Sequence, residues 1–214
     1  TVNRNARNGM NLIGAMEGTS GEILRVLNRM RELATKNATE TMTPTDRSEA
    51  QIEFIALQDE IQRLAQTTHM NRVQGLAVSD TMTFQVGVAG GAGNQVVLSL
   101  RSMTLAALSL DHGNSNVNTM TAAQNALDQV DIALSRLNTR RSQMAATFTQ
   151  LQASFDVSAN GRESLLNTLN VIRDTDYAVE STNLAQNQIR SQAAVSILSQ
   201  ANTIPQLALQ LLQG

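Results

Sequence analysis

Apolar residues recur every three or four positions along most of this chain, a spacing that predicts amphipathic helices. One run predicts a helix over residues 1 to about 37, and a second predicts a helix from about 46 to 67 that is capped by Thr45 or Asp46. The apolar seams are Ile13, Met16, Ser20, Ile23, Leu27, Met30 and Ala34 in the first helix, and Phe54, Leu57, Ile61, Leu64 and Thr68 in the second. The short segment 38–45 joins the two helices into an antiparallel hairpin.

The pattern changes to strict alternation from Thr81 to Val88 and again from Gln95 to Arg101. A glycine-rich turn, Gly90 to Asn94, separates the two runs and predicts a β-hairpin. A phosphate-binding loop is a poor alternative, because the stretch lacks the Walker lysine and a helix that follows in register. A polar loop is predicted from Asp111 to Asn118.

The longest run predicts a helix from Thr121 to about Val171, capped by Thr119 or Thr121. Its seam is Leu127, Val130, Leu134, Leu137, Arg141, Met144, Phe148, Leu151 and Phe155, with spacings that alternate between three and four. Ser158 to Gly161 predicts a kink or a local loosening. The expected fold is therefore mainly α, an elongated, rod-like three-helix bundle with a small β-hairpin.

The last stretch, Ile172 to Gly214, predicts a further long amphipathic helix. A single helix cannot bury its own apolar stripe, so this stretch predicts a docking element that needs a partner. We expect two domains, a core of residues 1–173 and a carboxy-terminal helix of residues 174–214.

Composition excludes several classes of function. The net charge is −2 and aromatic residues make up 2% of the chain, so nucleic acid is not an expected partner. Cysteine is absent, which excludes disulfides and thiolate metal sites. No apolar run approaches the ~18 residues of a membrane helix, and no signal peptide is recognisable.

The polar residues offer little chemistry. His69 and His112 are far apart and belong to no metal-binding spacing, so both are expected at the surface. Asp174 and Asp176 are expected to favour the start of the last helix. Neither an enzyme nor a cofactor site is predicted.

Five stretches of the chain resemble the bacterial flagellins. They are NARNGMNLIGAMEG from Asn5, RMRELATKNA from Arg29, QIEFIALQDEIQRLAQTTHMN from Gln51, TMTFQVG from Thr81, and IRDTDYAVESTNLAQNQIRSQAAVSILSQANTIPQLALQLL from Ile172. Three departures stand out. By the resemblance, the first sixty or so residues of flagellins and their outer variable domains are expected to be missing from this chain, and Met70-Asn71-Arg72 replaces the usual Phe-Asn-Gly.

The resemblance implies a structural subunit of the flagellar filament, exported through the flagellar type III route without a cleaved signal peptide and polymerised outside the cell. Implied partners are other copies of the chain, an export chaperone, the cap and hook-associated proteins, and a toll-like innate immune receptor. Alternatives are a hook–filament junction protein of the same family, or a truncated flagellin that serves as a chaperone- or receptor-binding module.

Two surfaces are implied residue by residue. The receptor-type surface matches Arg29, Leu33 and Glu53, and Leu33 is expected to be exposed because it lies off the seam. The helix that binds the chaperone and then other subunits presents Leu184, Ile189, Val195, Leu198, Ile204, Leu207, Leu209, Leu211 and Leu212.

Overall fold

The computed structural model describes residues 2–70 and 73–212, and side chains are described in these ranges except at 70, 73, 175–176 and 203–212. These residues divide into two compact units, a first unit of residues 1–159 and a second unit of residues 160–214. The helices are α1 (Val2–Asn37), α2 (Pro44–Thr67), α3 (Leu105–Leu108) and α4 (Met120–Leu212). The strands are β1 (His69–Met70), β2 (Val73–Gln74), β3 (Asp80–Gln85) and β4 (Gln95–Leu100), with a 3₁₀ turn at Ala92–Asn94. The predicted domain boundary at residues 173–174 stays a prediction.

The core of the first unit is shared by α1, α2, the β3–β4 hairpin and the first part of α4. All seven predicted seam residues of α1 are buried, which confirms the register of that helix. Ser20, the polar member of the seam, donates a hydrogen bond of 2.7 Å to the carbonyl of Met16, so its hydroxyl is satisfied inside the helix. The three-helix bundle with a small hairpin is confirmed.

The start of α2 differs from the prediction. The helix begins at Pro44 and its cap is Thr43, not Thr45 or Asp46. The Thr43 hydroxyl accepts a hydrogen bond of 3.2 Å from the Asp46 amide, and the Asp46 carboxylate accepts one of 3.2 Å from the Thr43 amide. This capping box places the start of α2 two residues earlier than predicted. Pro44 fits the first helical position because its missing N–H is not needed there.

The cap also sets a pH dependence. Hydrogen bonds from the hydroxyl and the amide of Thr43 hold the pKa of the Asp46 carboxyl below its usual value. The folded state therefore favours the ionised carboxylate. This contribution to stability is present above the unfolded-state pKa and is lost as the pH falls through the lower, folded-state pKa.

The predicted seam of α4 is correct at every second position and wrong between them. Val130, Leu137, Met144 and Leu151 are buried as predicted. Between them, the buried residues are Ala126, Ala133 and Thr147. The predicted residues each lie one position further along the chain and are only half-buried or exposed: Leu127, Leu134 and Phe148. Small side chains occupy the centre of the contact because they let the helices approach closely, and the larger ones flank it. Likewise, α2 buries Gln58 and Ala65 where Leu57 and Leu64 were predicted.

Two further residues explain how α4 lies against α1. Arg141, the charged interruption of the predicted seam, donates to Glu17 of α1 at 2.6 Å and is only half-exposed. Gly9 of α1 lies where a Cβ atom would come within 2.8 Å of Leu151 and 3.1 Å of Phe84. The close approach of α1, the hairpin and α4 at this point therefore favours glycine, since any larger residue would force the side chains of Leu151 and Phe84 to shift.

The start of α4 is as predicted, but its interior is not. Thr119 caps the helix, since its hydroxyl accepts a hydrogen bond of 3.1 Å from the Ala122 amide. Residues 158–161 remain helical, so the predicted local loosening is wrong, whereas the alternative of a kink stays a prediction. Asp174 lies inside α4, so the expected helix start near that residue is also wrong. A single glycine, Gly161, costs a helix only about 1 kcal/mol relative to alanine, which its neighbours can offset.

The β3–β4 hairpin is confirmed, with Asp80 opposite Leu100 and Gln85 opposite Gln95. Alternate residues of β4, namely Val96, Leu98 and Leu100, are buried in the core. The turn contains Gly91, whose φ of +135° favours glycine.

Three glutamines of α2 hold the segment that follows the hairpin. Gln62 and Gln51 accept hydrogen bonds from the amides of Leu105 at 3.2 Å and Val117 at 2.6 Å. Buried Gln58 donates to the carbonyls of Leu110 at 2.7 Å and Ser115 at 3.1 Å. The loop at 111–118 is therefore partly interior, with Ser115 and Val117 buried.

Candidate functional site

A groove lies between the end of α1 and the start of α2, and we call it the α1–α2 groove. Its lining residues are Arg29, Glu32, Leu33, Lys36, Met42, Asp46, Glu49, Ala50 and Glu53. Arg29 donates to Glu53 across the two helices at 2.7 Å and to Glu32 along α1 at 3.1 Å. The bond to Glu53 is the main cause of a raised pKa for Arg29. The structure thus brings together all three residues of the predicted receptor-type surface.

The expected exposure of Leu33 is wrong. Its side chain is only 5% exposed and belongs to the core, with Met30, Ala34 and Asn37 of the same helix end also buried. At this end of α1, Leu33 is buried beside the seam because α2 packs alongside the helix. Leu33 therefore forms the floor of the groove, while Arg29 and Glu53 form an exposed rim.

The second unit is rich in exposed apolar side chains. From Leu165 to Leu198, its large aliphatic side chains are between 49% and 72% exposed. They are Leu165, Leu166, Leu169, Val171, Ile172, Val179, Leu184, Ile189, Val195, Ile197 and Leu198. Large exposed apolar surfaces on proteins are in general characteristic of contact sites, so this stretch is the candidate contact surface of the second unit.

The predicted binding residues of this unit do not share one face. Leu184, Val195 and Leu198 are separated by 11 and 3 positions and so lie on one side of the helix. Ile189, five positions from Leu184, is rotated from it by about 140° at ~100° per residue. Ile204, Leu207, Leu209, Leu211 and Leu212 have side chains outside those described.

The described histidines and carboxylates provide no metal-binding alternative to these two surfaces. His69 is exposed, and His112 lies 3.2 Å from Asp59 at the surface, as expected for both histidines. Among the described residues, no three His, Asp or Glu side chains are placed to hold a metal ion. No helix in the described part of the chain has both the length and the hydropathy needed to cross a membrane.

Comparison with known proteins identifies the family. The model of the bacterial flagellin N-terminal helical region matches residues 1–81, and that of the C-terminal helical region matches residues 127–212. The chain is 33% identical to a flagellin of Halalkalibacterium halodurans over 212 residues, which cover 99% of this chain and 78% of that protein. The chain belongs to the flagellin family. A second flagellin, from Bacillus subtilis, is 30% identical over 99% of this chain and 80% of its own length.

Two other comparisons agree with this family. The chain is 32% identical, over 98% of its length and 78% of the relative, to the flagellar filament core protein flaB2 of Brachyspira hyodysenteriae. The flagellin fold also agrees with the crystal structure of Bacillus cereus flagellin, with a TM-score of 0.64, 24% identity, and coverage of 72% of this chain and 88% of that one. Flagellins are a family of structural proteins, and filament core proteins are among the relatives of this one.

Sequence reasoning missed one cluster of side chains in this flagellin. Arg101, Arg136 and Arg140 line one groove of the first unit. The only sequence signal is the four-residue spacing of Arg136 and Arg140, which places like charges on one side of a helix. The contribution of Arg101 depends on the position of the hairpin, which no local pattern reveals.

Proposed function

We propose that this flagellin is exported and polymerised as the structural subunit of an extracellular flagellar filament, and that residues 160–198 form a contact between subunits. The observation that carries the proposal is the set of exposed aliphatic side chains in the second unit. Burial of apolar surface stabilises protein contacts by roughly 25 cal/mol per Å². Neighbouring copies in a polymer supply that burial along the whole exposed stretch.

The same residues are proposed to bind an export chaperone before secretion. A monomer that exposes so much aliphatic surface is prone to aggregate, so a protein that covers this surface keeps the subunit soluble. The cap and hook-associated proteins are proposed as further partners at the filament ends. No catalytic role is proposed for any residue.

An aspartate in the proposed contact is expected to stop filament assembly. Leu184→Asp and Leu198→Asp each place a charge where a buried apolar side chain is needed, and an unpaired charge in an interface is costly. Each variant gene replaces the native gene in the source bacterium. Electron microscopy of sheared filaments measures assembly, and immunoblots of cells and medium separate a failure of export from a failure of polymerisation.

Neighbouring polar residues provide matched controls. Asn183→Asp and Ser199→Asp add the same charge next to the tested positions without removing an aliphatic side chain. These controls are expected to leave filaments of normal length. Normal filaments from Leu184→Asp and Leu198→Asp, at normal protein levels, would contradict the proposed contact.

A hook–filament junction protein is a related candidate with weaker support. A structure of a putative flagellar hook-associated protein from Vibrio parahaemolyticus has a TM-score of 0.60 over 75% of this chain and 85% of that one. Its identity of 14% reflects the fold alone. The sequence relatives named as a flagellin and as a flagellar filament core protein favour the filament subunit.

A second proposed function is recognition of the α1–α2 groove by a toll-like innate immune receptor. The supporting observation is that Arg29 and Glu53 form one exposed ion pair above Leu33. Arginine and carboxylate groups at a rim with an apolar floor suit a protein contact.

Glu53→Ala is expected to weaken receptor activation several-fold while leaving the bundle folded, since exposed ion pairs contribute only about 0–1 kcal/mol to stability. Receptor reporter cells measure activation, and circular dichroism measures folding. Glu60→Ala is the control, because Glu60 forms a comparable exposed pair with Arg63 at 2.6 Å on the same helix. Equal activation by both variants would remove this proposal. Leu33→Ala is a poor probe because it also opens the core.

A further inference from the structure

Three arginines, named here the arginine cluster, gather on the first unit where α4 passes the end of β4. Arg101 follows β4, and Arg136 and Arg140 are one helical turn apart on α4. Arg136 donates to the Ala107 carbonyl at 3.2 Å and to the Ser109 hydroxyl at 2.8 Å, and Arg140 donates to the Ser102 carbonyl. These bonds to neutral acceptors position two guanidinium groups without neutralising their charge.

No carboxylate of the described residues pairs with the cluster. The cations in the ion pairs of the described residues are Arg25, Arg29, Arg31, Arg63, Arg141 and His112. The other side chains that line this groove are neutral: Ala107, Ser135, Thr139 and Gln143. Arg101 also lines a second hollow together with Asp80, but the two form no ion pair among the described residues. Burial lowers the pKa of Arg140, and the charges of Arg136 and Arg101 lower it further. The cluster is therefore a site where three positive charges repel one another and an anionic group would relieve the repulsion.

The same unit carries an excess of carboxylates elsewhere. The α1–α2 groove is lined by four carboxylates and two cations. Within this groove, Arg29 already pairs with Glu53 and Glu32. Glu49 is exposed and makes no ion pair among the described residues. The groove thus offers negative charge on elements other than those that carry the arginine cluster.

We propose that the arginine cluster of one subunit binds the carboxylates of the α1–α2 groove of another copy. The inference rests on the proposed assembly of this flagellin into a filament. An open polymer is built from heterologous contacts, in which two different surfaces of the subunit meet. A cationic surface and an acidic surface on separate elements provide such a pair, and arginine binds carboxylates through short, charge-assisted hydrogen bonds.

Neutralising either surface tests the contact. The cluster variant carries Arg101→Gln and Arg136→Gln, and the groove variant carries Glu49→Gln and Glu53→Gln. All chains in this test also carry Leu184→Asp and Leu198→Asp, so that the apolar residues of the second unit do not drive association, and the chain with no further change is the unmodified chain of this test. Analytical ultracentrifugation measures self-association of each purified chain in about 20 mM salt and again in about 500 mM salt, where screening shortens the range of the interaction to a few Å. The unmodified chain is expected to associate in low salt only. Each variant alone is expected to associate at least tenfold more weakly.

A mixture of the two variants gives the sharpest result. Each variant retains one intact surface, so the groove of the cluster variant can bind the cluster of the groove variant. Because the two remaining surfaces are neutralised, the mixture is expected to form a dimer with one copy of each and to stop there. The unmodified chain, with both surfaces intact, is expected to continue to larger species.

Control variants change the same number of charges elsewhere. Arg4→Gln with Arg25→Gln, and Glu22→Gln with Glu60→Gln, are expected to associate like the unmodified chain. Arg101→Gln alone, which removes no hydrogen bond described for the cluster, guards against misfolding of the double variant. Salt-independent association, no association of the unmodified chain, or no heterodimer in the mixture would overturn the inference. In each case, loss of filaments in Leu184→Asp would leave the proposed function standing.

Discussion

Replacing Phe54 with alanine is expected to lower the free energy of unfolding of the first unit by about 3–5 kcal/mol. Phe54 is completely buried and is the largest of the fully buried side chains in the core. Only four phenylalanines and no tryptophan are present in the chain, so the core has few large side chains with which to fill the cavity. Guanidinium denaturation followed by far-ultraviolet circular dichroism measures the loss, and hydrogen exchange assigns it to residues 2–159.

Phe148 provides the control for this prediction. Its spacing assigns it to a helix seam in the same way as Phe54, yet the structure leaves it 39% exposed. Phe148→Ala is therefore expected to cost less than about 1 kcal/mol, in the range of surface substitutions. Equal losses for the two substitutions would show that α4 packs in the register predicted from the sequence.

Enlarging Ala133 to leucine is expected to destabilise the first unit by about 1–3 kcal/mol. Ala133 has no exposed surface and lies on the buried strip of α4, where closely packed helices leave no room for three more carbon atoms. Alanine and leucine have similar helix propensities, so the change tests packing rather than helix formation. Thermal unfolding and guanidinium denaturation measure the effect.

The matched control is Ala146→Leu on the same helix. Ala146 is exposed, so the added side chain extends into water and the stability is expected to change by no more than about 0.5 kcal/mol. A neutral effect of Ala133→Leu would contradict the close approach of the helices at the alanine positions.

Periodicity predicts which segments are helical, but it does not identify the buried positions with equal accuracy. The seam of α1 is correct throughout because its large apolar residues face the core. On α4, leucine and phenylalanine are the stronger hydrophobic signals, but alanine and threonine occupy the centre of the contact. The error arises because helix packing depends on how closely backbones approach, and a spacing pattern contains no information on that distance.

For the candidate surfaces too, some features could be predicted from the sequence and others could not. The exposure of the aliphatic residues in the second unit could be predicted, because the sequence shows how many there are and the family resemblance indicates that they bind a partner. The burial of Leu33 could not be predicted, because it depends on α2 packing beside the end of α1. Gln58 is buried although a polar residue on a helix is usually exposed, because two carbonyl groups distant in sequence accept its amide hydrogens. Such long-range contacts are visible only in three dimensions.

The two hydrogen bonds that Gln58 donates also affect how the chain tolerates added length. By holding the carbonyls of Leu110 and Ser115 on one amide, Gln58 fixes the points where the chain enters and leaves the turn at 111–114. At the tip, a side chain placed at Gly113 would meet open space. Extra residues inserted there would leave both anchors in place, and loop closure costs only about 0.6 kcal/mol for each doubling of loop length. We therefore expect this turn to be a permissive point for displaying a foreign peptide on the surface of the first unit.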